Sequence, residues 1–224
     1  MKQTKVKICG IKHPETLALL AELSVDYAGL VFAPSKRQIT PEAARYLQEQ
    51  VPHHPPLVGV FVNPTEAELA EVLATVNLDV LQLHGQEPPA FLAGLRSRYS
   101  LPIWKALPVR HPEEMREQVM AYRPYVDAIL LDTYDPVMAG GTGRPFRWEY
   151  IPALQEMAGE LPVFVAGGIT VENLGELLTG YGPAAIDISS GAETAGEKDP
   201  AKIKRLMKEV AEHGQTGVYN GNRT

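Results

Sequence analysis

Cys9 is the only cysteine among 224 residues. It closes a short apolar run, VKIC, and precedes Gly10. A thiol so placed either packs as a small apolar group or, once ionised, acts as a general base. Asp132 closes another apolar run, AILLD. Its carboxyl either caps a helix or, if burial or a nearby negative charge keeps it protonated, serves as a general acid. Arg37 lies in the polar stretch APSKR beside Lys36. The two read as a solvated surface pair, or Arg37 as a planar fork for a carboxylate. In QLHGQE, Gln82 and His84 are candidate substrate contacts, and His84 reads either as a neutral donor at the substrate or as a structural partner of a neighbouring strand. The turns AGGI and SSG collect small residues at Gly167, Gly168, Ser190 and Gly191. Such turns are either only tight bends or places where backbone N–H groups close on an anion. The six histidines show no paired-ligand spacing, so no metal is expected.

These residues need a scaffold that gathers them. Eight short apolar runs recur, at 6–9, 27–33, 57–62, 80–83, 103–106, 128–131, 163–166 and 185–188. Several are continuously apolar, the pattern of parallel strands covered on both faces. Amphipathic helical segments lie between them. HPETLALLAEL and ITPEAARYLQEQV carry an early proline, Thr40 is an expected cap, and Thr65 with Glu68 is an expected capping box. Strand starts recur at similar intervals, except for a longer gap before the seventh run that holds DTYDPVMAGGTGRP. Eight such units predict an α/β protein, a single (β/α)8 TIM barrel over residues 1–213, with a doubly wound open sheet as the competing architecture. The stretch 214–224, GQTGVYNGNRT, is polar and is expected to fray.

In a closed barrel, active sites lie at the C-terminal ends of the strands, and phosphate is frequently held by the loops after strands seven and eight. Cys9, Arg37, Gln82, His84 and Asp132 all fall at or just beyond such ends. Gly167, Gly168, Ser190 and Gly191 fall on the two loops of a phosphate site. Lys7 and Cys9 share one face of the first strand, ~7 Å apart. Asp187 lies on the eighth strand, which adjoins the first on closure. Lys7 and Asp187 are expected to point inward and pair, because an unpaired buried charge is costly. Lys7 is also expected to favour the thiolate of Cys9.

Composition limits the partners. Hydrophobic residues make up 45% and charged residues 21%, with a net charge of −6, so a packed core is expected rather than a nucleic-acid or membrane surface. No run approaches the ~18 apolar residues of a membrane helix. A single cysteine fits a reducing compartment, and a cytoplasmic protein is expected.

The stretches KICGI, GLVFAPSKRQIT, VGVFVN, LQLHGQE, LLDT with GGTG and FRW, and AGGIT followed by DISSGAET resemble the phosphoribosylanthranilate isomerase family. The resemblance runs from KICGI to KDPAKI, nearly the whole chain, and the motifs keep the family's order. It implies an Amadori rearrangement of N-(5-phosphoribosyl)anthranilate in tryptophan biosynthesis. Cys9 would be the base, Asp132 the acid, Arg37 the contact for the anthranilate part, and the AGGI and SSG turns the phosphate site. No cofactor is implied, because the substrate's own iminium is the electron sink. The expected partner is a small phosphorylated substrate, and the expected state is a monomer or a homodimer. One departure is visible: relatives often read Phe-Asp-Trp where this chain has Phe146, Arg147 and Trp148. Three other readings compete. One is the related sugar isomerase of histidine biosynthesis, against which the cysteine argues. Another is a Schiff-base aldolase using Lys7 or Lys105, and the last is a non-catalytic barrel subunit.

Overall fold

All eight apolar runs form strands, and the strands form one parallel sheet that closes on itself. The computed structural model describes residues 2–133 and 146–216. In chain order the barrel strands are β1 (Lys5–Cys9), β2 (Tyr27–Val31), β3 (Leu57–Phe61), β4 (Val80–Leu83), β5 (Ile103–Val109), β6 (Ala128–Thr133), β7 (Val163–Ala166) and β8 (Ala185–Ile188). Each pairs with the next, and β8 pairs with β1, setting Lys7 opposite Asp187. The open sheet is therefore excluded. β5 and β6 run longer than their apolar cores, because they stay in register from Trp104↔Ala128 to Val109↔Thr133.

Among the described residues, eight α-helices cover the outside: α1 (Pro14–Glu22), α2 (Pro41–Gln50), α3 (Glu66–Thr75), α4 (Pro89–Arg98), α5 (Pro112–Tyr122), α6 (Ile151–Ala158), α7 (Val171–Tyr181) and α8 (Pro200–His213). Their starts follow local chemistry. Proline, which has no N–H to leave unpaired, opens five of them. The Thr40 hydroxyl accepts from Ala43 N–H. Thr65 and Glu68 form the expected reciprocal box, with Thr65 N–H donating to Glu68 Oε2 at 2.7 Å.

The core has two layers. Cys9, Val58, Val60, Val80, Trp104, Ala106, Leu130, Phe164 and Ala166 fill the barrel interior. Their strand neighbours, such as Ile8, Leu57, Leu81 and Val165, pack outward against the helices. Tyr27, Trp104 and Phe164 stack against one another in the N-terminal half, with centroids 4.9 and 4.3 Å apart along the chain of contacts. A cavity of about 610 Å³ opens at that N-terminal face, and none of the candidate chemical residues lines it.

The N-terminal rim is held by a repeated device. Asp26, Asp79 and Asp127 each directly precede an even-numbered strand. Each carboxylate accepts the N–H of a residue on the preceding odd-numbered strand: Val6 at 2.8 Å, Leu57 at 2.7 Å and Ile103 at 2.9 Å. Beyond the barrel, Lys2–Gln3 pairs antiparallel with Gln215–Thr216, so the first residues of the polar C-terminal stretch meet the N-terminus. Residues 217–224 of that stretch lie outside the described residues.

Candidate active site

Cys9 ends β1 with its thiol turned into the barrel, and it is 8% exposed. Two glycines make room here, one for the thiol and one for the Arg37 side chain. Gly29 faces it across the ladder, and a Cβ there would stand 2.8 Å from Sγ. Gly10 has φ +86°, and a Cβ on it would stand 2.6 Å from Cδ of Arg37. Beneath the thiol, Lys7 Nζ donates to both oxygens of Asp187, at 3.0 and 2.9 Å, with Lys7 fully buried. The expected inward pair is present. Burial works against the Lys7 charge, but Asp187 and Cys9 together hold its pKa above the ordinary lysine value.

The thiol responds to the same neighbours in the opposite way. Burial pushes the Cys9 pKa up, Lys7 and Lys198 pull it down, and Asp187 pushes it up again; burial prevails. Lys7 thus acts in the expected direction without making the thiolate the resting form. The physical reason is depth, since a thiolate at this position gives up its hydration.

Arg37 crosses from the loop after β2 to Glu193, beyond β8. Its Nε and Nη2 meet the two carboxylate oxygens at 2.6 and 2.9 Å. Lys198 Nζ also reaches Glu193 Oε1 at 2.7 Å and donates to the Ser189 carbonyl. Burial raises the Glu193 pKa, but the hydrogen bonds from Arg37 and Lys198 outweigh it and hold the carboxyl at about 2. The guanidinium fork expected to face a substrate is braced by an acid of the chain itself, with Nη1 not engaged by Glu193. Lys36, its sequence neighbour, lies exposed.

Asp132 lies near the end of β6. Its Oδ1 accepts Thr133 N–H at 2.8 Å, and its Oδ2 lies 3.0 Å from His84 Nε2. Gly167 (φ +80°) makes room here, since a Cβ on it would stand 2.7 Å from Asp132 Oδ1. His84 Nδ1 faces Gln82 Nε2 at 3.3 Å. Gln82, expected at a substrate, is fully buried, and its polar contact is with His84. The loop bearing His84 is anchored by Glu87, which accepts N–H bonds from Asn63 and Gly85 and meets Lys105 Nζ at 3.0 Å. Lys105 donates further to the carbonyls of Leu83 and Gly85. Both lysines of the Schiff-base reading are thus tied to carboxylates, Lys7 to Asp187 and Lys105 to Glu87, although burial outweighs Glu87 and lowers the Lys105 pKa.

The loops after β7 and β8 touch. Gly167 and Gly168 both take positive φ, +80° and +65°. A Cβ on Gly191 would clash with the carbonyl of Ile169. Ser190–Ala192 forms a short 3-10 turn, and Asn173 Nδ2 holds the Gly168 carbonyl at 2.8 Å. The four expected phosphate residues thus share one place at the barrel mouth. In the loop after β6, Phe146 and Trp148 are buried. Arg147 is exposed over the Tyr150 ring. The GGTG stretch lies outside the described residues.

Sequence reasoning passed over Glu193, Lys198 and Gly29. Glu193 stands inside DISSGAET, and a buried acid beside an arginine loop is a findable signal only once the strands are placed.

The family model for N-(5'phosphoribosyl)anthranilate (PRA) isomerase matches residues 6–209. The N-(5'-phosphoribosyl)anthranilate isomerase of Brevibacillus brevis is 54% identical over 212 residues, covering 95% of this chain and 96% of that protein. A crystal structure of monomers of the dimeric phosphoribosylanthranilate isomerase from Thermotoga maritima superposes with a TM-score of 0.79 at 34% identity, over 93% of this chain and 99% of its own. A phosphoribosylanthranilate isomerase in complex with reduced 1-(o-carboxyphenylamino)-1-deoxyribulose 5-phosphate superposes with a TM-score of 0.78 at 33% identity, over the same shares.

Proposed function

Because the chain belongs to the N-(5'-phosphoribosyl)anthranilate isomerase family and catalyses the Amadori rearrangement of tryptophan biosynthesis, we propose that Cys9 is the base and Asp132 the acid of that reaction. The observation that carries this reading is the pair of glycines, Gly29 and Gly167, that leave no room for a Cβ beside the thiol and the carboxyl. Two reactive groups on different strands each stand against a glycine where any side chain would crowd them, Gly167 facing both Thr133 and Asp132.

The chemistry follows from these groups. Asp132, protonated, gives its proton to the ribose ring oxygen. The bond from that oxygen to C1′ breaks, and the anilino nitrogen supplies the electrons for a C1′=N iminium. The Cys9 thiolate then takes the proton on C2′. The released pair forms C1′=C2′ and returns the iminium electrons to nitrogen, giving an enolamine. Tautomerisation of the C2′ enol, with a proton arriving at C1′, yields the ketose. One acid and one base at different strand ends suffice. The substrate phosphate belongs at Gly167, Gly168, Ser190 and Gly191, where two glycine turns converge. The aromatic carboxylate belongs at the edge of Arg37 that Glu193 leaves open. The enzyme is cytoplasmic in this reading, which a lone cysteine with no disulfide partner supports, and acts as a monomer or homodimer.

Loss of phosphoribosylanthranilate fluorescence tests the assignment. Cys9→Ala and Asp132→Asn are each expected to lower kcat by about 10²–10⁴-fold, with KM within a few-fold. Arg37→Ala is expected mainly to raise KM. Near-native kcat in Cys9→Ala would make the thiol a space-filler.

A further inference from the structure

Gln82 is a fully buried amide on β4, a position where an apolar side chain would avoid the desolvation cost. Two observations give it a purpose. Its Nε2 stands 3.3 Å from His84 Nδ1, and its Oε1 has no hydrogen-bond partner among the described residues. The amide therefore spends its one polar contact on the imidazole. On the far side of that ring, Nε2 lies 3.0 Å from Asp132 Oδ2. The three side chains form a line from the barrel wall to the carboxyl.

We propose that Gln82 and His84 are positioning residues for the acid step: the amide fixes His84 as its Nε2–H tautomer, and that N–H is aimed at Asp132. This rests on the reading of Asp132 as the acid. The amide N–H of Gln82 donates to Nδ1, so Nδ1 must carry the lone pair and Nε2 the proton. When Asp132 releases its proton to the ring oxygen, it becomes a carboxylate. The Nε2–H of a neutral imidazole and the backbone N–H of Thr133 then each meet one of its oxygens. No proton leaves the imidazole. Donors fixed before the charge develops need no reorganisation when it appears. The glutamate–lysine anchor beneath the loop, Glu87 with Lys105, keeps His84 in place without touching Asp132.

The reading differs from direct substrate contact by His84, and the two separate in kinetics. With phosphoribosylanthranilate as substrate, His84→Ala is expected to lower kcat by about 10²-fold, the effect of removing one preorganised donor, with KM within a few-fold. His84→Gln, which can carry an N–H toward Asp132, is expected to recover at least about tenfold of that loss. Gln82→Leu, which keeps the bulk and removes the donor, is expected to lower kcat with KM unchanged, while circular dichroism and thermal melting stay close to the parent. In an Asp132→Asn background, His84→Ala is expected to have no further effect, because residues acting as a unit are not additive. A raised KM at constant kcat in His84→Ala would overturn the proposal in favour of substrate binding. So would a His84→Gln variant no better than His84→Ala, or a full further loss in the Asp132→Asn background. If Asp132→Asn itself kept its kcat, the acid assignment would fall; if it lost kcat while His84→Ala did not, only the positioning role would fall.

Discussion

Asp187→Asn and Lys7→Met are expected to move the Cys9 thiol in opposite directions. The ammonium of Lys7 lies between two anions, the Asp187 carboxylate and the potential Cys9 thiolate. Removing the carboxylate charge leaves the fully buried ammonium with the thiol as its remaining counter-group. An opposite charge within hydrogen-bonding range lowers a pKa by about 1–3 units, so Asp187→Asn lowers the Cys9 pKa and Lys7→Met raises it. Both variants lose stability. Breaking a buried pair by removing one partner costs about 3–5 kcal/mol, and in Asp187→Asn the thiolate offsets part of that. The assay is the rate of alkylation by iodoacetamide against pH, since only the thiolate reacts, paired with urea unfolding. The pair also has a pH signature. The folded pKa of Lys7 lies above its unfolded value, so the stabilisation is complete below about pH 10.4 and is lost as pH rises through the folded pKa. Equal alkylation profiles in the parent and both variants would refute the electrostatic coupling, and an upward shift in Asp187→Asn would refute its sign.

Glu193→Gln tests the carboxyl held at about 2. Its stabilisation is complete above the unfolded value of about 4.3 and is lost as pH falls toward 2, so the variant should show a flatter loss of stability with acid in that window by urea unfolding. Gly29→Ala should reduce kcat sharply, because the new Cβ needs the space of Sγ; unchanged turnover would mean the strand yields. Asp79→Ala removes a charged acceptor from the Leu57 N–H and should cost about 1.5–3 kcal/mol in denaturant unfolding while kcat and KM stay at parent values.

The barrel was readable because its strands are covered on both faces, which prints continuous apolar runs, and because proline and threonine mark the helix starts. Strand ends were less readable. The run at 27–33 leaves the ladder after Val31, and β6 continues through Asp132 and Thr133 because its register with β5 carries it on. Lys7 and Asp187 were legible together, since closure makes their strands neighbours. Glu193 was not, because its reach to Arg37 spans 156 residues and depends on where two loops meet. Gly29 resembles any small strand residue until the thiol opposite it is seen. The balance of charges on Cys9 was also out of reach, since it turns on depth of burial, which periodicity does not measure.

The β8–β1 seam sets an order of events during synthesis. Lys7 and Asp187 are 180 residues apart, as are Cys9 and Ser189, whose hydroxyl donates to the Cys9 carbonyl. At ~5–20 residues per second, the ribosome needs roughly 10–40 s between making the two sides. Throughout that interval the first strand carries a lysine whose counter-charge does not yet exist. An ammonium cannot enter an apolar interior unpaired, so β1 has no reason to settle before β8 arrives. Cys9 therefore leaves the ribosome well before the strand that completes its surroundings.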